Sequence, residues 1–304
     1  MKCAAKWPIK AALQEAGYLS RSFIMWMTRG KRGNPPFVRF SERGRNPDFS
    51  RPLCVVSSFD KESKVRGYIF ALIEAMSSAG FNIVFVSASA TLSDGDVEKL
   101  GSTCARVISR ENRGYDFYSW KTGMAEYPDY AKHAGLLLLN DSVLGPLFDI
   151  GDLVGRLEAF PVDIVGMTDS TRFCRHLQSY FIYFKRHVVN SVEFRAFFDA
   201  VKAEDYKEAI IRRYEVGISR LLKKKFSIGA FYELEEVREK SGYTARPPAW
   251  TNPTVHLWRE LIGDWHFPFL KKSVITSGNW SIDDVRSILA SCGSCYDPRL
   301  LDLD

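Results

Sequence analysis

Several apolar runs of this 304-residue chain stop abruptly at short clusters of polar residues. In GLLLLNDSVLGP (135–146), four leucines run into Asn140-Asp141-Ser142. A carboxylate between two small polar residues at the end of a buried run is either a simple turn or part of a ligand site. Ser58 and Asp60 close the run LCVVSSF (53–59), and Asp169 closes DIVGMTDS (163–170). Asn112-Arg113-Gly114-Tyr115-Asp116 follow ARVISR (105–110). Gly114 permits close backbone approach, a helix opening beside it offers free N–H groups, and Arg113 supplies a delocalised charge. These types together suit a phosphate- or nucleotide-type ligand. Asp116 serves equally well as the N-cap of a helix over 117–126. No GxGxxG or GxxxxGK[ST] is present, so neither the common dinucleotide loop nor a P-loop is supported.

The elements that must position these residues alternate. Strands are expected over 53–59, 81–89, 105–110 and 136–139. Helices are expected over 64–79, closed by Gly80, from Ser93-Asp94 to Leu100, and over 116–126. Alternating strands and helices imply a parallel sheet with crossover connections, and such sheets bind ligands beyond the strands' carboxyl ends. The second half is less regular, with strands over 163–170 and 179–184 and helices over 190–202 and 206–225. After Gly242 the chain is rich in Pro, Trp and His.

Composition narrows the function classes. Hydrophobic residues make up 46% and charged residues 26%, an ordinary globular balance. No run reaches the ~18–20 apolar residues of a membrane span, so a cytoplasmic protein is expected. Residues 1–51 hold eleven Lys/Arg against three Asp/Glu, so a total charge of +6 leaves the remainder at −2. A near-neutral body with a basic arm does not fit a dedicated nucleic-acid binder. The arm also carries Trp7, Phe23 and Trp26, which suits either contact with an anionic membrane surface or a solvated leader. Cys292 and Cys295 have redox or metal spacing but no second pair at zinc-site spacing.

Six segments in register carry a resemblance. NRGYDFYSWKTG (112–123), LLLLNDSVLGP (136–146), DIVGMTDS (163–170), HLQSYF (176–181), YEVGIS (214–219) and NPTVHLW…PFLKKSVI (252–275) resemble the rhamnan synthesis protein F family. The resemblance implies a single α/β catalytic domain of GT-A type, with a Rossmann-type, mostly parallel sheet flanked by helices. Its expected parts are a basic arm (1–51), a nucleotide-sugar-binding half (52–148), and an acceptor-binding half with the C-terminal segment (149–304).

The resemblance also assigns roles. A DxD motif of such enzymes falls on Asn140-Asp141-Ser142, so Asp141 is the one carboxylate left to hold Mg2+ or Mn2+, weakly and only together with the donor. Ser58, Asp60, Asn112, Arg113, Gly114, Asp116, Asn140 and Asp141 are expected around the nucleotide sugar, a donor such as dTDP-rhamnose. Glu215, read as an acid at a helix start with a moderately raised pKa, is expected as general base, with Asp169 its rival. His176 and Gln178, which share a strand face, and Trp258 are expected at the acceptor. Lys271 and Lys272 either attract a pyrophosphate-linked acceptor or sit in solvent. The implied activity is transfer of a deoxyhexose, with inversion, to a lipid-linked cell-surface glycan at the inner membrane's cytoplasmic face. The alternative is a non-catalytic sugar-nucleotide or glycan-binding member of an assembly complex.

Overall fold

A computed structural model describes residues 37–242 and 251–303. The basic aromatic arm to residue 36, with its expected membrane contact, lies outside the described residues, as does Trp250. Among the described residues no helix is long and apolar enough to cross a membrane.

The first half follows the expected alternation. Strands β1 (Val38–Arg43), β2 (Leu53–Ser58), β3 (Asn82–Ser87), β4 (Arg106–Arg110) and β5 (Gly135–Asn140) are interleaved with helices α1 (Gly67–Ser78), α2 (Asp94–Gly101) and α3 (Tyr115–Glu126). Ser93 caps α2, accepting from the Asp96 N–H, and acids fill the first turn. After the two-residue strand β6 (Val143–Leu144) come α4 (Leu153–Ala159), β7 (Ile164–Ser170), β8 (His176–Leu177) and β9 (Phe181–Lys185). Next are α5 (Val192–Ala200) and α6 (Lys207–Ile210), which passes through a π-helical stretch, Ile211–Glu215, into α7 (Val216–Leu222). Then follow β10 (Ile228–Tyr232), α8 (Leu234–Lys240), a single turn at Pro253–His256, α9 (Trp258–Trp265), β11 (Leu270–Lys271) and a closing helix, α10 (Ile282–Ser291).

One sheet takes the order β1-β4-β3-β2-β5-β9-β7-β10, with β8 added beside β7. Strands β4, β3, β2 and β5 are parallel, as are β7 and β10. The remaining pairings are antiparallel. The sheet is therefore mixed, with its parallel part where helical crossovers separate the strands. The short links of β7, β8 and β9 can only return the chain antiparallel. Residues 38–43, expected in the arm, instead form the edge strand against β4. Because both faces are covered, β2 and β5 are buried at every position and carry no alternation of apolar and polar residues.

Successive residues of each strand serve different layers. Val56 and Leu139 pack toward α1 and the C-terminal helices, whereas Val55 and Leu138 pack toward α3, α5 and α7. Helix α3 is anchored over the sheet by Trp120, fully buried, whose indole N–H donates to the Leu139 carbonyl at 3.0 Å. It also packs unusually close. A Cβ on Gly123 would stand 2.7 Å from Val55 Cγ1 and 3.0 Å from Val86 Cγ2. Helix propensity alone favours Ala over Gly by ~1 kcal/mol, but overpacking costs about 1–3 kcal/mol. Gly123→Ala is therefore expected to lower the unfolding free energy, measured by urea denaturation. A gain near the propensity value would show that α3 does not sit this close.

Candidate active site

A cleft of about 590 Å³ opens at the carboxyl ends of the central strands. Residues given candidate roles from the sequence line it, among them Asp116, Asn140, His176, Gln178, Glu215 and Lys271.

Its floor is set by strand alternation at the end of β5. Asn140 continues the row of Leu136 and Leu138 and faces α3, whereas Asp141 continues the row of Leu137 and Leu139 and faces α1. Asn140 Nδ2 donates to Asp116 Oδ2 at 2.9 Å, and Ser57 Oγ donates to Asp116 Oδ1 at 2.9 Å. Burial, and next the charge on Asp141, raise the Asp116 pKa above the usual carboxylate value. Asp116 is thus bonded across the sheet end and does not cap its helix. The cap position belongs to Gly114, whose φ of 80° is left-handed.

Strand β11 pairs with β6, bringing two lysines against this same edge. Lys271 faces the cleft. Its Nζ donates to Ser142 Oγ at 2.8 Å and lies 4.8 Å from the centre of the Tyr180 ring. Ser142 Oγ donates in turn to Asn140 Oδ1. Lys271, Ser142, Asn140 and Asp116 therefore form one hydrogen-bonded row with a cation at one end and a carboxylate at the other. Burial pushes the Lys271 ammonium down to about 8, although Glu215 and Asp116 pull the other way. Among the described residues no carboxylate lies within ion-pair distance of it.

Lys272 points to the opposite side. It pairs with Asp141 Oδ2 at 3.4 Å and donates to the Tyr68 hydroxyl at 3.0 Å. Burial opposes its charge, but Asp141 and Tyr68 outweigh that and raise its pKa. Asp141 Oδ2 also accepts from Ser58 Oγ and the Phe59 N–H, at 3.2 and 3.1 Å. The one carboxylate expected to hold a metal is thus already occupied by three donors and faces away from the cleft. Among the described residues no group of three His, Cys, Asp or Glu side chains could hold a metal ion. The residues present do not fit a DxD-type cation site.

The opposite wall is built on α6, α7 and β8. Glu215 ends the π-helical stretch inside a longer helical segment, so it is not at a helix start. Such stretches are frequent at functional sites. Its Oε2 accepts from both the N–H and the hydroxyl of Ser179, and its Oε1 accepts from His176 Nε2 at 3.3 Å. His176 Nδ1 lies 2.7 Å from the Cys174 carbonyl, so with Glu215 ionised each ring nitrogen faces an acceptor, an arrangement that favours the imidazolium. Burial opposes the Glu215 charge, but His176 and Ser179 overcome it and hold the carboxyl below its ordinary value. For His176, burial is likewise outweighed by Glu215, and its pKa is raised. The expected elevation of Glu215 is therefore reversed. Behind this pair, Gln178 donates to Asn252 Oδ1 at 3.1 Å, and the Asn252 N–H donates to His256 Nδ1 at 2.9 Å. Burial drops the His256 pKa to about 4, so this ring is neutral.

Other expected residues do not reach the cleft. Asp169 accepts from Arg175 Nε and the Leu234 N–H, both at 2.7 Å, and so fixes the start of α8. Asp60 is bound to Arg66 and to the backbone of its own loop. Trp258 is a core residue, packed edge-on against Trp280; Trp280 lines the cleft instead. Asn112 is exposed, and Arg113 lies 3.7 Å from Asp205. Arg110, which the sequence reading passed over, organises that loop. Fully buried, it donates to the carbonyls of Glu111, Arg113 and Tyr115 and to Ser119 Oγ. Its signal in the sequence was a charged residue closing an apolar strand immediately before the glycine loop.

The Glu215–His176 pair makes stability depend on pH. Glu215 has a depressed folded pKa, so its contribution is complete above 4.5 and fades as pH falls through the folded value. His176 has a raised one, so its contribution is complete below 6.5 and fades as pH rises through the folded value. Removing one partner of a buried pair costs roughly 3–5 kcal/mol. The Tm deficit of Glu215→Gln should therefore be largest between pH 4.5 and 6.5 and shrink on both sides. A deficit independent of pH would mean that the pair is not ionised.

A model of the rhamnan synthesis protein F family matches residues 83–291. The uncharacterized protein y4gN of Sinorhizobium fredii is 30% identical over 175 residues, covering 56% of this chain and 45% of its own length. The virulence protein VirA of Vibrio anguillarum is 28% identical over 222 residues, covering 64% of this chain and 68% of its own. The chain thus spans less than half the length of the first of these relatives. Among solved structures, the glycosyltransferase GlyE of Streptococcus pneumoniae superposes with a TM-score of 0.40 at 12% identity, over 82% of this chain and 62% of that one. With the family model matched across strands β3 to β10 and the helices that follow, the chain belongs to the rhamnan synthesis protein F family.

Proposed function

We propose that the chain is a glycosyltransferase of polysaccharide assembly, moving a sugar from a nucleotide donor to a growing glycan. The observation that carries this reading is the pairing, across one cleft, of a floor bearing Lys271 and Asp116 with a wall bearing Glu215 and His176. A family named for rhamnan synthesis supports a polysaccharide product and favours rhamnose as the sugar. The nucleoside diphosphate lies on the floor, at the end of the parallel strands, as α/β sheets place their ligands. The acceptor enters along the Glu215 wall, with Gln178 and Asn252 beside it.

In this reading the acceptor hydroxyl attacks the anomeric carbon with inversion. Its oxygen forms the new bond, while the bond to the diphosphate breaks and the electron pair leaves with the phosphate oxygen. The acceptor proton goes to Glu215. Its Oε1 carries only the long bond from His176 and keeps acceptor capacity. A depressed pKa guarantees the ionised form at neutral pH but weakens the base, which favours the second reading, a sugar-nucleotide-binding protein without turnover. The lipid carrier of the glycan and contact with the inner membrane belong to the same proposal.

Release of nucleoside diphosphate from a panel of nucleotide sugars, with a lipid-linked acceptor present, tests the reading. Turnover is expected with at least one donor. Glu215→Gln should lower it by roughly a hundredfold or more while the far-UV spectrum is retained. Donor binding with no turnover on any acceptor supports the second reading, and full turnover in Glu215→Gln removes Glu215 from the chemistry.

A further inference from the structure

The edge that should hold a divalent cation holds two lysines instead, and each has a different task. Lys272 neutralises Asp141 on the α1 side of the sheet. Lys271 stands on the cleft side, joined to Asn140 and Asp116 through Ser142. The two are placed by one short ribbon. The pairing of Lys271 with Val143, and the bond from the Lys272 N–H to the Ser142 carbonyl at 2.9 Å, fix both side chains relative to Asn140-Asp141-Ser142. An ammonium carries three N–H donors. Ser142 takes one, the Tyr180 face absorbs charge from another direction, and no carboxylate among the described residues neutralises it. A half-buried cation with no carboxylate at ion-pair distance among the described residues, facing an open cleft, is a site for an anion.

We propose that Lys271 binds the diphosphate of the donor directly and replaces the divalent cation, so that donor binding needs no metal. This rests on the nucleotide-sugar reading above and specifies its charge chemistry. The ammonium supplies positive charge where the leaving diphosphate gathers negative charge, with Ser142 as a neighbouring donor or acceptor. Asp116 sets the boundary of that site. A phosphate near Lys271 is attracted, and one near Asp116 is repelled, so the row orients the diphosphate toward the Lys271 end. Asp141 remains with Lys272 and takes no part in binding a cation.

Calorimetry on the full chain with UDP, dTDP, GDP and CDP, in EDTA and in Mg2+, tests this. At least one nucleoside diphosphate should bind in EDTA with an affinity within about threefold of that in Mg2+. Loss of a charge-assisted contact should make Lys271→Met weaker by roughly tenfold to a hundredfold in both buffers. Lys271→Arg should recover most of that loss, which a general disturbance of the cleft would not allow. Binding that requires Mg2+, or that survives Lys271→Met unchanged, overturns the proposal while leaving the nucleotide-sugar reading intact. If no nucleoside diphosphate binds in either buffer, both fall together.

Discussion

A strand cannot point two neighbouring side chains the same way, and the cleft depends on that constraint. At the end of β5 it sends Asn140 toward α3 and Asp141 toward α1. Where β11 meets the same edge, its last residue, Lys271, goes one way, and Lys272, which opens the short helix Lys272–Thr276, goes the other. The result is two charge arrangements on opposite faces of one sheet. The α1 side is closed, with Lys272 satisfied by Asp141 and Tyr68. The cleft side is open, with Lys271 and Asp116 held apart by two neutral side chains.

The rest of the architecture serves to keep this edge fixed. Trp120 and the close approach at Gly123 set the height of α3, and therefore the position of Asp116. Arg110 gathers the carbonyls of the loop before α3, so that the chain enters the helix without a side-chain cap. Burying a guanidinium is costly unless its donors are met, and here they are met by the loop that must be held. On the far wall, Ser179 and His176 fix the Glu215 carboxylate at the end of the π-helical stretch. The cleft thus combines a rigid floor with a wall whose charge is balanced internally.

The alternation of strands and helices in the first half was legible in the sequence because apolar runs, capping residues and glycines agree there. The polar clusters at the strand ends were also legible, and Asp116, Asn140, His176, Gln178 and Glu215 meet in one cleft. What could not be read was direction. Strand β5 is buried on both faces, so its four leucines give no parity from which to tell that Asn140, not Asp141, enters the cleft. Lys271 lies 129 residues from Ser142, and no local pattern announces that contact. Asn252 and His256 join for the same reason, through tertiary packing alone. Trp258 and Asp169 misled in the opposite way. An indole and a strand-end acid are as useful to a core and a helix start as to a ligand, and here the core and the helix start hold them.

The central claim is that a lysine, and not a metal, meets the diphosphate at this edge. A crystal structure grown with a nucleoside diphosphate and Mg2+ tests it most directly. The account predicts phosphate oxygens within hydrogen-bonding distance of Lys271 Nζ, with Lys272 still paired to Asp141. A cation bound to Asp141, with Lys272 displaced and the phosphates carried on that cation, would contradict it.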